Sequence, residues 1–218
     1  MAPALFFFLT KQTTHINKNM ATLTTQLEAV NTMLGYIGEA PVNSISNAQE
    51  LPVSAALAVS VLAETSREVQ SEGWHFNTEN KIKLEGNAST GTITLDEDIL
   101  QVDHEGSDDV DLVQRGRSLY NRTDNTEVFT SPVEVTVVRL LDFDKLPEQA
   151  RRYITLRATR SLQARLVGSR ELEALIIRDE FAAKANLERA DSANADRTIF
   201  DNFDAVTRIG INRNYDLN

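Results

Sequence analysis

The chain has 218 residues, no cysteine and a formal net charge of −10 at pH 7, with 41% hydrophobic and 25% charged residues. This length and balance are typical of a globular protein with one large or two small domains. The lack of cysteine excludes disulfide bonds and thiolate metal sites. The negative charge argues against a protein that holds nucleic acid by overall electrostatic attraction.

The first nineteen residues contain one short apolar run, residues 4–9. A membrane span needs about 20 apolar residues, and a signal peptide needs roughly 7 to 15 behind a basic leader. We therefore predict that residues 1–19 form a disordered leader and that the chain has no membrane segment. A weak signal peptide is the alternative interpretation.

Two amphipathic helices are predicted next. Thr25 and Glu28 have the spacing of a capping box, and apolar residues then recur at helical intervals until Gly38. A second helix, rich in Ala, Leu and Val, is predicted from about residue 49 to residue 71, with Gly73 as its stop.

The pattern between residues 77 and 138 changes to short β-branched or alternating runs, which predict strands. Residues 74–76 are predicted to start the first strand, and residues 114–117 to form a hairpin turn. The candidate strands are residues 82–84, 92–95, 99–102, 110–113, 118–120, 128–129 and 133–141. Strands this short indicate a small antiparallel sandwich or barrel.

Helical spacing returns after residue 144. Pro147 suits the start of a third helix, Gly168 its end, and Ser169 with Glu171 the start of a fourth helix that runs to about residue 190. The last segment loses periodicity but keeps spaced large apolar residues, which is typical of a segment that docks on a partner.

The predicted fold class is therefore α+β: a discontinuous antiparallel helical bundle with an inserted small antiparallel β sandwich or barrel. Each amphipathic helix has one apolar face to bury, so the outer helices are expected to pack together. The predicted domains are a leader (1–19), a helical domain (20–76 and 142–192), an inserted β domain (77–141) and an extended C-terminal docking tail (193–218).

Charge is distributed unevenly. Eight acids and no Lys or Arg lie between residues 96 and 111, whereas residues 139–170 carry a net charge of +5, from eight basic and three acidic residues. From this we select acidic surface or channel candidates, which are Asp96, Asp98, Asp108, Asp109 and Asp111. The interface candidates are Arg151, Arg152, Arg160, Phe200, Phe203 and Tyr215.

Several interpretations of the acidic run stay open. Solvated loops between strands are one, and a surface that keeps passing DNA from binding is another. A glycosidase carboxylate pair is a third, whereas the spacing of an EF-hand is absent. The chain has no HExxH, GxSxG, P-loop or GxGxxG motif, so no catalytic, cofactor-binding or metal-ligating residue is predicted.

Four ordered segments resemble the tail tubular protein A family, which forms the head-to-tail adaptor of short-tailed phages. They are AVNTMLGYIGEAPVNSI (residues 29–45), REVQSEGWHFNTE (67–79), LYNRT (119–123) and VTVVRLLDFDKLPEQARRYI (135–154). The similarity runs from about residue 24 to residue 189. Residues 1–19 and the tail after about residue 197 have no secure counterpart.

This resemblance implies a structural adaptor, a ring of twelve copies between the portal protein and the nozzle, tail tubular protein B. It further implies contact with tail fibres, and double-stranded DNA passing through the centre without sequence-specific binding. The expected location is the virion tail, and the host cytoplasm during assembly. Two other functions remain open at this point: a tail-associated glycan hydrolase that uses carboxylates of the β insert, and a fibre-docking or carbohydrate-binding module.

Overall fold

A computed structural model describes residues 22–104 and 110–195. The predicted leader, Asp108 and Asp109, Phe200, Phe203, Tyr215 and nearly all of the predicted tail lie outside the described residues. The described part contains helices and small antiparallel sheets, which confirms the predicted α+β class. In chain order the helices and strands are α1 (Gln26–Tyr36), α2 (Val53–Gln70), β1 (Thr78–Leu84), β2 (Ile99–His104), β3 (Leu112–Arg115), β4 (Ser118–Asn121), β5 (Val133–Arg139), α3 (Glu148–Leu166) and α4 (Arg170–Asn194).

The other three helices, α1, α2 and α4, all pack against α3. A helix that is apolar on several sides must be buried on several sides, and α3 buries side chains around most of its circumference. Those buried on α3 include Ala150, Tyr153, Ile154, Leu156, Ala158 and Leu162. They join Met33 and Leu34 of α1 and Val61 and Leu62 of α2 in one core.

The helix ends follow the sequence signals closely. The Thr25 hydroxyl accepts a hydrogen bond from the Glu28 N–H, and the Glu28 carboxylate accepts one from the Thr25 N–H, so the predicted capping box is confirmed. Gly168 follows α3 with a φ of +66°, the left-handed conformation that ends many helices. The second helix begins later than predicted, because residues 48–50 form a separate 3₁₀ turn before α2. The fourth helix extends to Asn194, four residues beyond the predicted end.

The β part contains a three-stranded antiparallel sheet in the order β1-β5-β2 and a separate β3-β4 hairpin. Gly116 has a φ of +63° in the predicted hairpin turn between Arg115 and Ser118, so that turn is confirmed. The runs at 92–95 and 128–129 form only isolated bridges rather than strands. A second core lies between these strands and contains Ile93, Leu95, Ile99, Leu112, Leu119, Val135 and Val137.

The prediction that residues 74–76 begin a strand was wrong. His75–Asn77 form a 3₁₀ turn, and β1 starts only at Thr78. The turn is held by side chains: Trp74 Nε1 donates to the carbonyl of Val69 at 2.7 Å, and Asn77 Nδ2 donates to the carbonyl of Gln70 at 2.9 Å. This tight turn changes the direction of the chain between α2 and β1.

Candidate interaction surfaces

Four of the five acids of this run that the structure describes lie within 4 Å of an arginine, and Asp103 is the exception. Glu97 pairs with Arg117 at 2.9 Å, and Asp111 pairs with Arg122 at 3.0 Å. Glu105, Asp108 and Asp109 lie outside the described residues. Within residues 22–104 and 110–195, no group of three or more His, Asp or Glu side chains is placed to hold a metal ion.

Asp96 and Asp98 share one cation, Arg139 at the end of β5. Arg139 donates to both carboxylate oxygens of Asp98, at 2.9 and 3.0 Å, and its Nε donates to Glu79 at 2.9 Å, while Asp96 lies 3.6 Å away. The hydrogen bond to Glu79 raises the pKa of the Arg139 guanidinium, burial opposes this, and Asp98 adds to the rise. This cluster ties β1, the loop before β2 and β5 together, so these two acids stabilise the sheet.

Arg151 lies inside the molecule rather than on its surface. Only 3% of the residue is exposed, and its guanidinium donates to the carbonyl oxygens of Leu146, Thr24 and Asp144. The guanidinium therefore ties the first turn of α3 to the residues just before α1 and to the 3₁₀ turn Phe143–Lys145 with the residue that follows it. An interface role for this guanidinium, as the sequence suggested, does not fit its position, because the interior of the chain already uses its donors.

Two further arginines of α3 connect this helix to α2. Arg157 pairs with Glu68 and Arg165 pairs with Glu64, both acids of α2. Burial lowers the pKa of Arg157, but hydrogen bonds to the Tyr153 hydroxyl and to Glu68 outweigh this effect and the pKa is raised. Most of the arginines of α3 therefore already pair with groups of the same helical bundle.

Arg160, an interface candidate, binds Glu180 of α4. Its Nε donates to the Glu180 carboxylate at 2.6 Å, and this hydrogen bond raises the pKa of Arg160. Glu180 is only 9% exposed, so it needs this partner. Arg152 differs from Arg151, Arg157 and Arg160, since its side chain is exposed and it forms no ion pair with any described residue.

An open groove of about 330 Å³ lies between α3 and α4. Phe181 and Ile177, one helical turn apart on α4, form its apolar wall, and their exposed fractions are 76% and 47%. The residues that line the groove are Tyr153, Arg157, Arg160, Ile177, Glu180, Phe181 and Lys184.

The spacing of residues along α4 marks the apolar wall of this groove. Ile176, Glu180, Ala183 and Leu187 are the buried positions of α4, at intervals of three or four residues. Ile177 and Phe181 each follow a buried position by one residue, so they fall beside the buried face. Apolar spacing alone groups Phe181 with the core positions of α4, so the groove was not predicted.

Further exposed apolar side chains lie outside this groove, namely Leu166 and Val167 at the α3–α4 turn and Leu175 on α4. Within the described residues, no helix has the length and apolar character that crossing a bilayer requires.

Comparison with known proteins assigns the family. The family model described as "Tube: Tail tubular protein" matches residues 27–197. Tail tubular protein A of Klebsiella phage KP34 is a relative that is 33% identical over 129 residues, which cover 59% of this chain and 66% of that protein. The match therefore spans just under two thirds of the relative's own length. Because the family model matches well over half of the sequence, the chain belongs to the tail tubular protein family, a group of structural proteins of the phage tail.

Proposed function

We propose that this chain is a head-to-tail adaptor. Twelve copies form a ring between the portal protein and the nozzle, tail tubular protein B, and genomic double-stranded DNA passes through the ring during ejection. The ring also helps to seat the tail fibres. Subunits reside in the host cytoplasm before assembly and in the virion tail afterwards. Membership of the tail tubular protein family supports the structural role.

The exposed Phe181 is the observation that carries this proposal. A helix of a closed bundle normally turns its large aromatic residues to the core, yet this one is 76% exposed beside an exposed Ile177. Aromatic side chains that anchor protein interfaces have this character. A ring requires a heterologous contact, in which one patch meets a different patch of the neighbour.

The distribution of charge supports a passive conduit. The arginines of α3 are mostly paired with acids of α2 and α4, so the described helices offer no continuous basic face to a phosphate backbone. Each phosphate neutralised by a protein cation adds affinity through counterion release. A chain with a net charge of −10 avoids such retention of DNA. Arg152 is the α3 candidate that remains for a polar contact with a neighbour or with the portal.

We assign the ring contacts to the helical residues 20–76 and 142–192, with the tail 193–218, and the fibre contacts to the insert 77–141. The helices and the strands have separate hydrophobic cores, which supports the assignment of ring contacts and fibre contacts to different parts of the chain.

The mass of the assembly tests the proposal. When purified portal protein is added, we expect sedimentation or native mass spectrometry to find a complex that is heavier than the portal alone by about twelve subunits of 24.3 kDa. The chain alone is expected as a monomer or a ring, since the portal can act as a template. A chain that stays monomeric and unbound in the presence of portal would contradict the proposal. Polysaccharide release by the purified chain would also contradict it.

A further inference from the structure

The groove between α3 and α4 combines an apolar wall with a cationic rim. Ile177 and Phe181 supply the wall, and the cations at the rim are Arg157, Arg160 and Lys184, of which Arg157 and Arg160 already pair with Glu68 and Glu180. Lys184 contacts Glu188 only at 3.9 Å, a long ion pair between exposed side chains that is worth little. The groove therefore fits an aromatic side chain with a carboxylate close to it in sequence. The aromatic ring packs on Phe181 and Ile177, while the carboxylate meets Lys184.

Outside the described residues, two segments place an aromatic residue next to an acid: residues 199–204 and Tyr215 with Asp216. Residues 199–204 read Ile-Phe-Asp-Asn-Phe-Asp, with two aromatic residues, two acids and no cation. The later stretch, residues 207–218, reads Thr-Arg-Ile-Gly-Ile-Asn-Arg-Asn-Tyr-Asp-Leu-Asn and carries two arginines against one acid, Asp216, so its side chains have a net positive charge. Electrostatic complementarity with a cationic rim selects residues 199–204.

The length of the connection argues against docking within the same chain. Fourteen residues separate Phe181 from Ala195 at the end of α4, which is about 21 Å along a helix. Phe200 follows Ala195 by five residues, and five residues span at most about 18 Å when fully extended. Phe203 reaches the level of Phe181 only if the chain reverses direction at once and runs almost straight.

We infer that residues 199–204 of one copy lie in the α3–α4 groove of a neighbouring copy. This inference rests on the proposed ring and specifies its contact. Every copy donates one segment and accepts one segment, which is the head-to-tail arrangement that a closed ring requires. Phe200 and Phe203 pack against Ile177 and Phe181, and Asp201 faces the cationic rim.

Cross-linking of full-length chains tests this inference, because the natural sequence has no cysteine that would form competing disulfides. Lys184→Cys and Asn202→Cys are made in separate chains, mixed with portal protein and oxidised. We expect a disulfide dimer that contains one of each chain. Ala182→Cys replaces Lys184→Cys in the matched control. Ala182 is also exposed, but two residues turn a helix by about 200°, so it faces away from the groove.

A chain that carries both Lys184→Cys and Asn202→Cys distinguishes the two copies. Docking between copies gives a ladder of covalent multimers, whereas a product that remains one chain long would overturn the assignment to a neighbour. Equal cross-linking of Ala182→Cys and Lys184→Cys would overturn the groove as the site.

The double variant Phe200→Ser/Phe203→Ser provides a second readout by sedimentation with portal. Loss of two aromatic anchors is expected to lower the ring population at least about tenfold. Two results together would overturn the groove inference but not the ring. In the first, the Phe200→Ser/Phe203→Ser variant forms a full ring as the unmodified chain does. In the second, the Lys184→Cys/Asn202→Cys disulfide is absent. If the unmodified chain forms no ring with portal, and the cysteine variants form no disulfide, the proposed function fails as well.

Discussion

The side-chain amide of Gln70 pairs with the backbone of Leu141 as a neighbouring strand would. Its Nε2 donates to the Leu141 carbonyl at 3.0 Å, and its Oε1 accepts from the Leu141 N–H at 2.7 Å. Gln70 is the last residue of α2 and is fully buried, and Leu141 lies between β5 and α3. This contact therefore fixes both connections between the helical and β parts at one point.

Gln70→Ala is expected to destabilise the fold by about 1 to 3 kcal/mol, because it leaves two partly buried backbone groups of Leu141 without their partner and removes a buried side chain. Chemical denaturation measures this change in the free energy of unfolding. Gln101→Ala is the matched control, since Gln101 Nε2 also donates to a backbone carbonyl, that of Ser71, but at an exposed position. The control is expected within about 0.5 kcal/mol of the unmodified chain. Equal losses in the two variants would refute the special role of Gln70.

Charge reversal separates the neighbours Arg151 and Arg152. Arg151→Glu is expected to prevent stable folding, because it removes the donors to three backbone carbonyls and buries an unpaired anion. Arg152→Glu is expected to fold normally, as the side chain is exposed, and to weaken ring formation or portal docking. Circular dichroism reports the first effect and sedimentation the second. Normal folding of Arg151→Glu would contradict the internal role of this guanidinium.

Phe181→Ser is expected to leave the stability of the isolated chain within about 0.5 kcal/mol, because the side chain is mostly exposed. The same change is expected to reduce ring formation, since it removes the apolar wall of the groove. Val53→Ser serves as the control, because Val53 is 84% exposed on a different helix. Thermal unfolding and sedimentation with portal measure the two quantities. A large fall in the stability of the monomer would show that Phe181 contributes to the core instead.

Glu180→Ala is expected to destabilise the chain by about 1 to 2 kcal/mol. It removes the partner of Arg160 in a mostly buried position, but the exposure of Arg160 lets water screen part of the effect. Glu188→Ala is the control, since its contact with Lys184 is long and exposed. Urea denaturation of both variants checks the difference. A result in which both variants lose the same stability would argue against a structural role for the Arg160–Glu180 pair.

The capping box predicts a pH dependence of stability. Hydrogen bonds from the backbone N–H and then the hydroxyl of Thr25 lower the pKa of Glu28 in the folded chain. A lowered folded pKa means that the stabilisation is fully present above the unfolded pKa of about 4.3 and is lost as the pH falls through the folded value. Glu28→Gln is expected to flatten this acid limb, as measured by unfolding between about pH 6 and pH 3. An unchanged limb would show that Glu28 does not contribute to it.

Local signals determined most of the helix boundaries. The capping box at Thr25 and the glycine at 168 act through backbone groups a few residues away, so the sequence shows both partners of each interaction. The hairpin at Gly116 follows for the same reason. The 3₁₀ turn at 75–77 could not be predicted in this way, because it depends on Asn77 reaching the carbonyl of Arg139, 62 residues along the chain.

The sequence by itself determined the fold class, the order of helices and strands, and the resemblance to a phage tail family, because periodicity and ordered motifs are properties of the chain. Only the tertiary structure decided which charges remain available. Arg151 and Arg152 are adjacent in sequence, yet a turn of about 100° between consecutive helical residues places one in the interior and the other in water. The same geometry exposes Phe181 beside the buried Glu180, because a side chain's surroundings depend on which helix packs against it.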